Sequence, residues 1–158
     1  MANTQVDRTG FDDTVNHLTV VLGRLVPQWL ARHAVAVSIT TERPRYESGD
    51  PVRIDIEFRN RLPIPVTITT PRQRLWGWAV DGAVEASDER RYLSETEGTM
   101  TFQGRERKRI TREWDGTVKR VGAPDRWEPL EPGRHELSAF IAVDGRPRPE
   151  ARTTIEIT

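Results

Sequence analysis

The sequence contains no cysteine among its 158 residues. This absence excludes a disulfide framework, a thiol nucleophile and any cysteine-ligated zinc or iron–sulfur site. No apolar run approaches the roughly 20 residues that a membrane-crossing helix needs. The first residues also lack the basic segment, apolar stretch and small-residue cleavage site of a signal peptide, so we expect a cytoplasmic protein.

Net charge is also lacking, because lysine plus arginine and aspartate plus glutamate number 24 each. A balanced charge gives no global field that would attract nucleic acid or an anionic membrane. The length suits one domain with an appended element.

Catalytic motifs are absent as well. The histidines, His17, His33 and His135, lie on three different predicted elements and show no metal-ligand spacing. No serine lies in a Gly-x-Ser-x-Gly elbow, and no glycine-rich phosphate loop is present. We therefore predict a protein that is not an enzyme, with no catalytic residue, metal or cofactor.

Strict two-residue alternation is the clearest positive signal. Between residues 51 and 60, apolar side chains alternate with charged ones, which predicts a strand with one buried face. Further strands are predicted at 35–39, 66–70, 74–80, 83–86, 99–103, 107–114, 134–143 and 151–158. Turn signals lie at Asp81-Gly82, Glu131-Pro-Gly133 and Asp144-Gly145, and 115–131 is the longest predicted irregular connection. This pattern predicts an all-β fold, an immunoglobulin-like antiparallel β-sandwich spanning 34–158.

The N-terminal part follows a different period. Residues 1–10 are predicted to be disordered, and 11–33 to form an amphipathic α-helix, which Gly23 and Pro27 would kink or divide into two shorter helices. Its apolar stripe comprises the candidate partner-binding residues Phe11, Val15, Leu18, Leu22, Leu25 and Trp29. The stripe has three candidate docking surfaces: its own sandwich, a second copy of the chain, or another protein.

Two further clusters have both a binding and a structural interpretation. Trp76 and Trp78 share one face of a strand, as a sugar or base platform or as part of the core; we favour the core, because their neighbours are also apolar. A basic patch lies on and beside the strand at 107–114. It comprises Arg105, Arg107, Lys108, Arg109 and Arg112. It could contact phosphates, but we favour a half-exposed edge strand protected by charge, and do not expect nucleic acid as a partner.

The order of signals from Tyr46 to Val143 resembles the BsuPI-like intracellular proteinase inhibitors of bacilli, which are immunoglobulin-like β-sandwiches. The residues that carry the resemblance are the strand at 52–60, 65–68, 72–78, Trp114 and 130–143. The segments at 74–76 and 80–87 are also similar to those of small uncharacterised archaeal proteins. Where the inhibitor family has Pro-Gly-x-Tyr, this chain has His135 in the tyrosine position, and we expect a structural histidine that bonds to backbone at a sandwich corner.

These observations predict a non-catalytic protein-binding or structural module that acts through its N-terminal helix or its sandwich loops. The partner would be another protein or a second copy of the chain. The resemblance implies an alternative, protease inhibition by an exposed loop at 87–98 or 115–130. A carbohydrate-binding or nucleic-acid-binding sandwich is the third alternative.

Overall fold

The computed structural model describes residues 17–86 and 95–158. These residues form a mostly β structure with two short helices at its N-terminal end. The helices are α1 (His17–Arg24) and α2 (Gln28–Ala34). The strands are β1 (Val35–Thr41), β2 (Arg45–Tyr46), β3 (Val52–Asn60), β4 (Val66–Thr70), β5 (Trp76–Val80), β6 (Ala83–Val84), β7 (Gly98–Phe102), β8 (Arg107–Trp114), β9 (Thr117–Arg120), β10 (Arg126–Pro129), β11 (Gly133–Ile141) and β12 (Glu150–Ile157).

The described strands form several sheets. One has the order β1-β3-β8 and another the order β2-β12-β11-β5-β6, while β4 pairs with β7 and β9 with β10. Every pairing is antiparallel except that of β2 with β12. The prediction of antiparallel sheets is confirmed.

Strand β3 has the predicted alternation. Val52, Ile54, Ile56 and Phe58 are buried, and the charged side chains between them are more exposed. The period continues to Asn60, which is fully buried although it is polar. Its amide Nδ2 donates to the carbonyl oxygens of Ile64 at 2.8 Å and Gln103 at 2.9 Å, and these bonds compensate for its burial.

Aromatic side chains pack between the two larger sheets. The ring of Phe58 on β3 lies 6.0 Å from that of Trp76 on β5, and Trp78 on β5 lies 5.9 Å from Trp114 on β8. Trp78 is buried, and Trp76 is partly buried against the same core. The interpretation of this pair as core residues therefore agrees with the structure, and the two do not form an exposed platform.

The prediction of an irregular connection over the whole of 115–131 is wrong for residues 117–120 and 126–129. Strands β9 and β10 pair there as a hairpin, with Arg126 opposite Arg120 and Pro129 opposite Thr117. Every residue of β10 is exposed, so burial imposes no apolar alternation that the sequence could reveal. The candidate inhibitor loop at 115–130 is therefore mostly a paired hairpin with an irregular tip at 121–125. Most of the other candidate loop, 87–98, lies outside the described residues, because the structure does not describe 87–94.

The corner histidine is placed as expected. In His135, Nε2 lies 2.7 Å from the carbonyl oxygen of Glu131, and Nδ1 lies 2.6 Å from Oδ2 of Asp81. Asp81 has a φ of 47° in the predicted Asp-Gly turn between β5 and β6. The side chain of His135 therefore links this turn to the beginning of β11 through its contact with Asp81.

Candidate interaction surface

The predicted helix at 11–33 is divided into two shorter helices over the described residues, one of the two outcomes expected from Gly23 and Pro27. Helix α1 ends at Arg24 and α2 begins at Gln28. Pro27 lies between them, where its missing N–H and fixed φ interrupt a helix. Its carbonyl oxygen accepts the bond from Ala31 N at 2.9 Å, so α2 starts anew from the proline.

The two helices dock on β4 and β7 through small residues. A Cβ on Gly23 would lie 2.4 Å from Thr67 Oγ1 and 3.1 Å from the carbonyl carbon of Val66, so only glycine permits this approach. Ala31 and Ala34 of α2 are buried. These small residues bring the helix backbones close to the sheet, while Val26 is buried in the core and Leu30 packs against it.

The side chain of Gln28 anchors α2 to the sheet. Its Nε2 donates to the carbonyl oxygen of Thr67, and its Oε1 accepts from the N–H of Thr69, both at 2.9 Å. The amide thus pairs with alternate residues of β4 as a neighbouring strand would. These bonds fix the position of α2 on the sandwich.

The predicted apolar stripe faces away from the sandwich wherever its side chains are described. Leu22, Leu25 and Trp29 are exposed to 44%, 75% and 62%, and Val21 beside them to 59%. Phe11 and Val15 lie outside the described residues, as does the side chain of Leu18. We call Val21, Leu22, Leu25 and Trp29 the exposed helix face. Periodicity identified this stripe but missed Val21, which the exposure adds.

The predicted basic patch divides between two faces of β8. On the outer face, Arg107 and Arg109 form ion pairs with Glu57 at 3.5 Å and 2.7 Å. On the inner face, Lys108 lies over the ring of Phe102 at 5.4 Å and Arg112 over that of Trp76 at 5.1 Å.

Arg105 lies in the turn before β8, where its guanidinium donates to the carbonyl oxygen of Arg61. Strand β8 is an edge of its sheet. These positions agree with the interpretation of a charged edge strand, because the cations are divided and engaged within the fold.

A second surface feature is an open depression of about 810 Å³ beside α2. It is lined by His33 and by the hairpin that connects β11 to β12, with side chains that include Asp144, Arg146, Arg148, Glu150 and Arg152. No spacing pattern in the sequence indicates it, because His33 is far along the chain from the hairpin. We call it the arginine depression.

The arginines of this depression differ in their partners. Arg148 donates two hydrogen bonds to Oε2 of Glu150, from Nε at 3.0 Å and from a terminal nitrogen at 2.5 Å. The hydrogen bond from Arg148 lowers the pKa of Glu150 below its ordinary value, although burial opposes it. Arg152 pairs with Glu136 at 3.4 Å and with Glu150 at 3.5 Å. Among the described residues, no carboxylate lies within ion-pairing distance of Arg146.

The exposed helix face and the arginine depression adjoin each other. The ring of Trp29 lies 6.4 Å from that of His33 in an edge-on arrangement. Arg32, on the same helix, donates to the carbonyl oxygen of Asp144 at 3.0 Å. Helix α2 therefore presents a tryptophan next to a cationic hairpin.

No group of three or more metal-ligating side chains was found among residues 17–86 and 95–158. Over the same residues, neither helix combines the length and the apolarity that crossing a membrane requires.

Comparisons with solved structures find low-identity likenesses. The CARDB domain of a Pyrococcus furiosus protein shares 13% identity over 79% of this chain and 94% of its own, with a TM-score of 0.47. Sporulation control protein Spo0M from Bacillus subtilis shares 14% identity over 78% of this chain and 49% of its own, with a TM-score of 0.49.

The alkylpurine DNA glycosylase AlkC from Pseudomonas fluorescens, solved with DNA that contains an abasic site analogue, shares 14% identity over 79% of this chain. The match covers 30% of the glycosylase, with a TM-score of 0.48. Likenesses of this size say nothing about the function of the present chain.

No curated protein matches this chain significantly. The resemblance to the BsuPI-like inhibitors rests on sequence motifs alone. A family of unknown function, DUF7974, matches residues 23–158, which include most of the chain and all the described strands. The chain belongs to the DUF7974 family.

Proposed function

We propose that this protein is a non-catalytic protein-binding module and that the exposed helix face is its contact surface. The observation that carries the proposal is the exposure of Trp29 on α2 and of Leu25 in the connection between α1 and α2, to 62% and 75%. Clustered exposed apolar side chains are typical of protein interfaces, and tryptophan is enriched among the residues that dominate binding energy.

The docking of the helices supports a preformed surface. Gly23 packs against Thr67, and Gln28 makes two bonds to β4, so the opposite sides of both helices are already used. A preformed surface loses less conformational entropy on binding than a flexible one. The remaining face is therefore suited to a partner with apolar anchors.

The chain offers a matched pair of variants for the test. Trp29 and Trp127 are exposed to 62% and 63%, but Trp127 lies on the β9–β10 hairpin. Partners captured from native lysate by the full-length protein should be lost with Trp29→Ala and retained with Trp127→Ala. Loss with Trp127→Ala instead would place the contact on the hairpin and contradict the proposal.

Self-association is a distinct outcome of the same design. Sedimentation of the purified protein and of Trp29→Ala measures the mass of each directly. A dimer that Trp29→Ala converts to a monomer would identify a second copy as the occupant of the face, in place of another protein.

We further assign the sandwich to the immunoglobulin-like class. The support is the corner in which His135 Nε2 lies 2.7 Å from the carbonyl oxygen of Glu131, four residues upstream. In immunoglobulin-like domains a tyrosine at a sandwich corner bonds to upstream backbone in this way. An experimental structure whose strand order differs from that class would refute the assignment.

A further inference from the structure

We propose that the arginine depression binds carboxylates of the partner, so that the partner is an acidic protein segment whose apolar side chains cover Trp29. This inference rests on the proposed function, because it names the chemistry of the segment that would occupy the exposed helix face.

The arginine depression has a local excess of positive charge. Arg146, Arg148 and Arg152 line the depression together with Asp144 and Glu150, and Arg32 reaches its wall. Glu150 is already shared by Arg148 and Arg152. Arg146 forms no ion pair within 4 Å among the described residues, although it is near enough to Glu150 to help lower the pKa of that carboxyl. The chain as a whole carries no net charge.

The side chain of Arg148 is held in place within the depression. Arg148 is held by two bonds to Glu150, and its guanidinium carbon lies 4.6 Å from the centre of the Phe140 ring. A guanidinium that is stacked and braced in this way loses little entropy when it binds a ligand. Its planar group also matches a carboxylate in geometry, since two parallel N–H bonds can form.

The depression lies beside Trp29. The 6.4 Å edge-on contact between Trp29 and His33 joins the apolar face to the cationic one. A partner segment with apolar residues on one side and acidic residues at its end would meet both. Complementary charge then fixes the register of a segment whose burial supplies the affinity.

A protein segment fits these features better than an anionic membrane. Asp144 and Glu150 lie within the depression, so a continuous negative surface would meet carboxylates as well as arginines. A single carboxylate can approach Arg146 and leave Asp144 in water. The alternation of charges thus favours a ligand with discrete acidic groups.

The test uses two synthetic amphipathic peptides of about 15 residues, a length near the minimum for a helix in water. Both carry leucines at helical spacing, and one end of the peptide carries glutamates in the first and glutamines in the second. Fluorescence anisotropy measures their affinity for the full-length protein, for Arg146→Glu and for Arg134→Glu. Arg134 is an exposed arginine near the opposite end of β11, so its reversal is a matched control.

The proposal predicts that the glutamate peptide binds at least about tenfold more tightly than the glutamine peptide, since close charge pairs across an interface couple by 1.5 kcal/mol or more. Arg146→Glu should remove this advantage, and Arg134→Glu should retain it. Raising the salt concentration from about 0.05 to about 0.3 M should weaken the glutamate peptide more than the other, because salt screens exposed charges.

Equal affinity of the two peptides, or equal effects of the two arginine reversals, would overturn the proposal. Absence of binding by the glutamate peptide would also overturn it, as would binding to vesicles of anionic phospholipid without binding of the peptide. Trp29→Ala tests the proposed function separately. If this variant weakens the binding of both peptides equally, and the glutamate and glutamine peptides bind the wild type equally, the exposed helix face is the contact surface but the depression does not recognise carboxylates.

Discussion

His135 Nδ1 lies 2.6 Å from Oδ2 of Asp81, and this contact joins the β5–β6 turn to the beginning of β11. The other ring nitrogen faces the carbonyl oxygen of Glu131 at 2.7 Å. Both partners are acceptors, so only the protonated imidazolium donates to the two of them at once. The corner is therefore held most firmly by a charged histidine.

This arrangement predicts that stability depends on pH near neutrality. Burial alone would lower the pKa of His135, but the hydrogen bonds to Asp81 and Glu131 outweigh it and raise the pKa above its ordinary value. Because the folded pKa is the higher one, the stabilisation is fully present below about pH 6.5 and is lost as the pH rises through the folded pKa. Thermal unfolding between about pH 5.5 and 8.5 should show a falling melting temperature.

His135→Gln should be less stable than the wild type at the acid end, by about 1–2 kcal/mol, and should lose most of this pH dependence. His33→Gln is the control, because His33 is exposed and its contact with Trp29 carries no ion pair. A pH profile that His135→Gln leaves unchanged would exclude the charged corner.

The register of β3 predicts opposite responses at adjacent residues. Ile54 is fully buried, so Ile54→Asp places an unpaired charge in the core and should unfold the domain. Asp55 is partly exposed and accepts a bond from Thr111 Oγ1 at 2.6 Å, which an asparagine oxygen can also accept. Asp55→Asn should change the free energy of unfolding by less than about 0.5 kcal/mol. Similar losses at both positions in urea titrations would refute this register.

Close packing at Gly23 predicts a reversal of the usual helix rule. At an open helical site, replacing glycine with alanine stabilises a helix by about 1 kcal/mol. At Gly23 the new Cβ would lie 2.4 Å from Thr67 Oγ1, so Gly23→Ala should destabilise the docking of α1. Val21→Ala, on the exposed side of the same helix, should have little effect on stability. Hydrogen exchange of the α1 amides measures both effects, and slower exchange in Gly23→Ala would contradict the packing.

Removing the side-chain amide of Gln28 should weaken the attachment of α2 to β4. Gln28→Ala removes both bonds to β4 and should cost about 1–2 kcal/mol of stability. Gln28→Glu keeps the acceptor for Thr69 N–H but faces the carbonyl oxygen of Thr67 without a donor, so it should not restore stability. Denaturant unfolding measures the free energy of unfolding of the two variants. If Gln28→Glu is as stable as the wild type, the hydrogen bond to Thr67 does not contribute to stability.

The sequence predicts elements with a buried face better than elements without one. Burial imposes the alternation in β3 and β8, and the positive φ angles of Asp81 and Gly82 account for their turn signal. The β9–β10 hairpin is different, because Trp127 and the rest of β10 are exposed and leave no apolar period.

The helices show a second limit of sequence patterns. Periodicity identifies the large apolar side chains as a face to be buried, whereas the side of α1 and α2 that contacts the sandwich includes the small residues Gly23, Ala31 and Ala34. Small residues allow two backbones to approach, and this preference is absent from a hydrophobicity pattern. The arginine depression escapes prediction for another reason, since tertiary folding alone brings His33 to Arg146.

Removing the helices would be an ambiguous test of whether the exposed helix face is the contact surface. Val26 and Ala31 belong to the buried core, so a truncated chain that begins at Ala34 would lose packing as well as the exposed helix face. Point variants of exposed side chains avoid this ambiguity, because they leave the docked side intact.

The most direct measurement is quantitative mass spectrometry of the proteins that full-length wild type, Trp29→Ala and Trp127→Ala capture from native lysate. Our account predicts a set of partners that Trp29→Ala depletes at least about tenfold, the loss expected when an interface hot spot is truncated. The same partners should remain with Trp127→Ala. Partners that persist with Trp29→Ala and disappear with Trp127→Ala would contradict the account and move the contact to the β9–β10 hairpin.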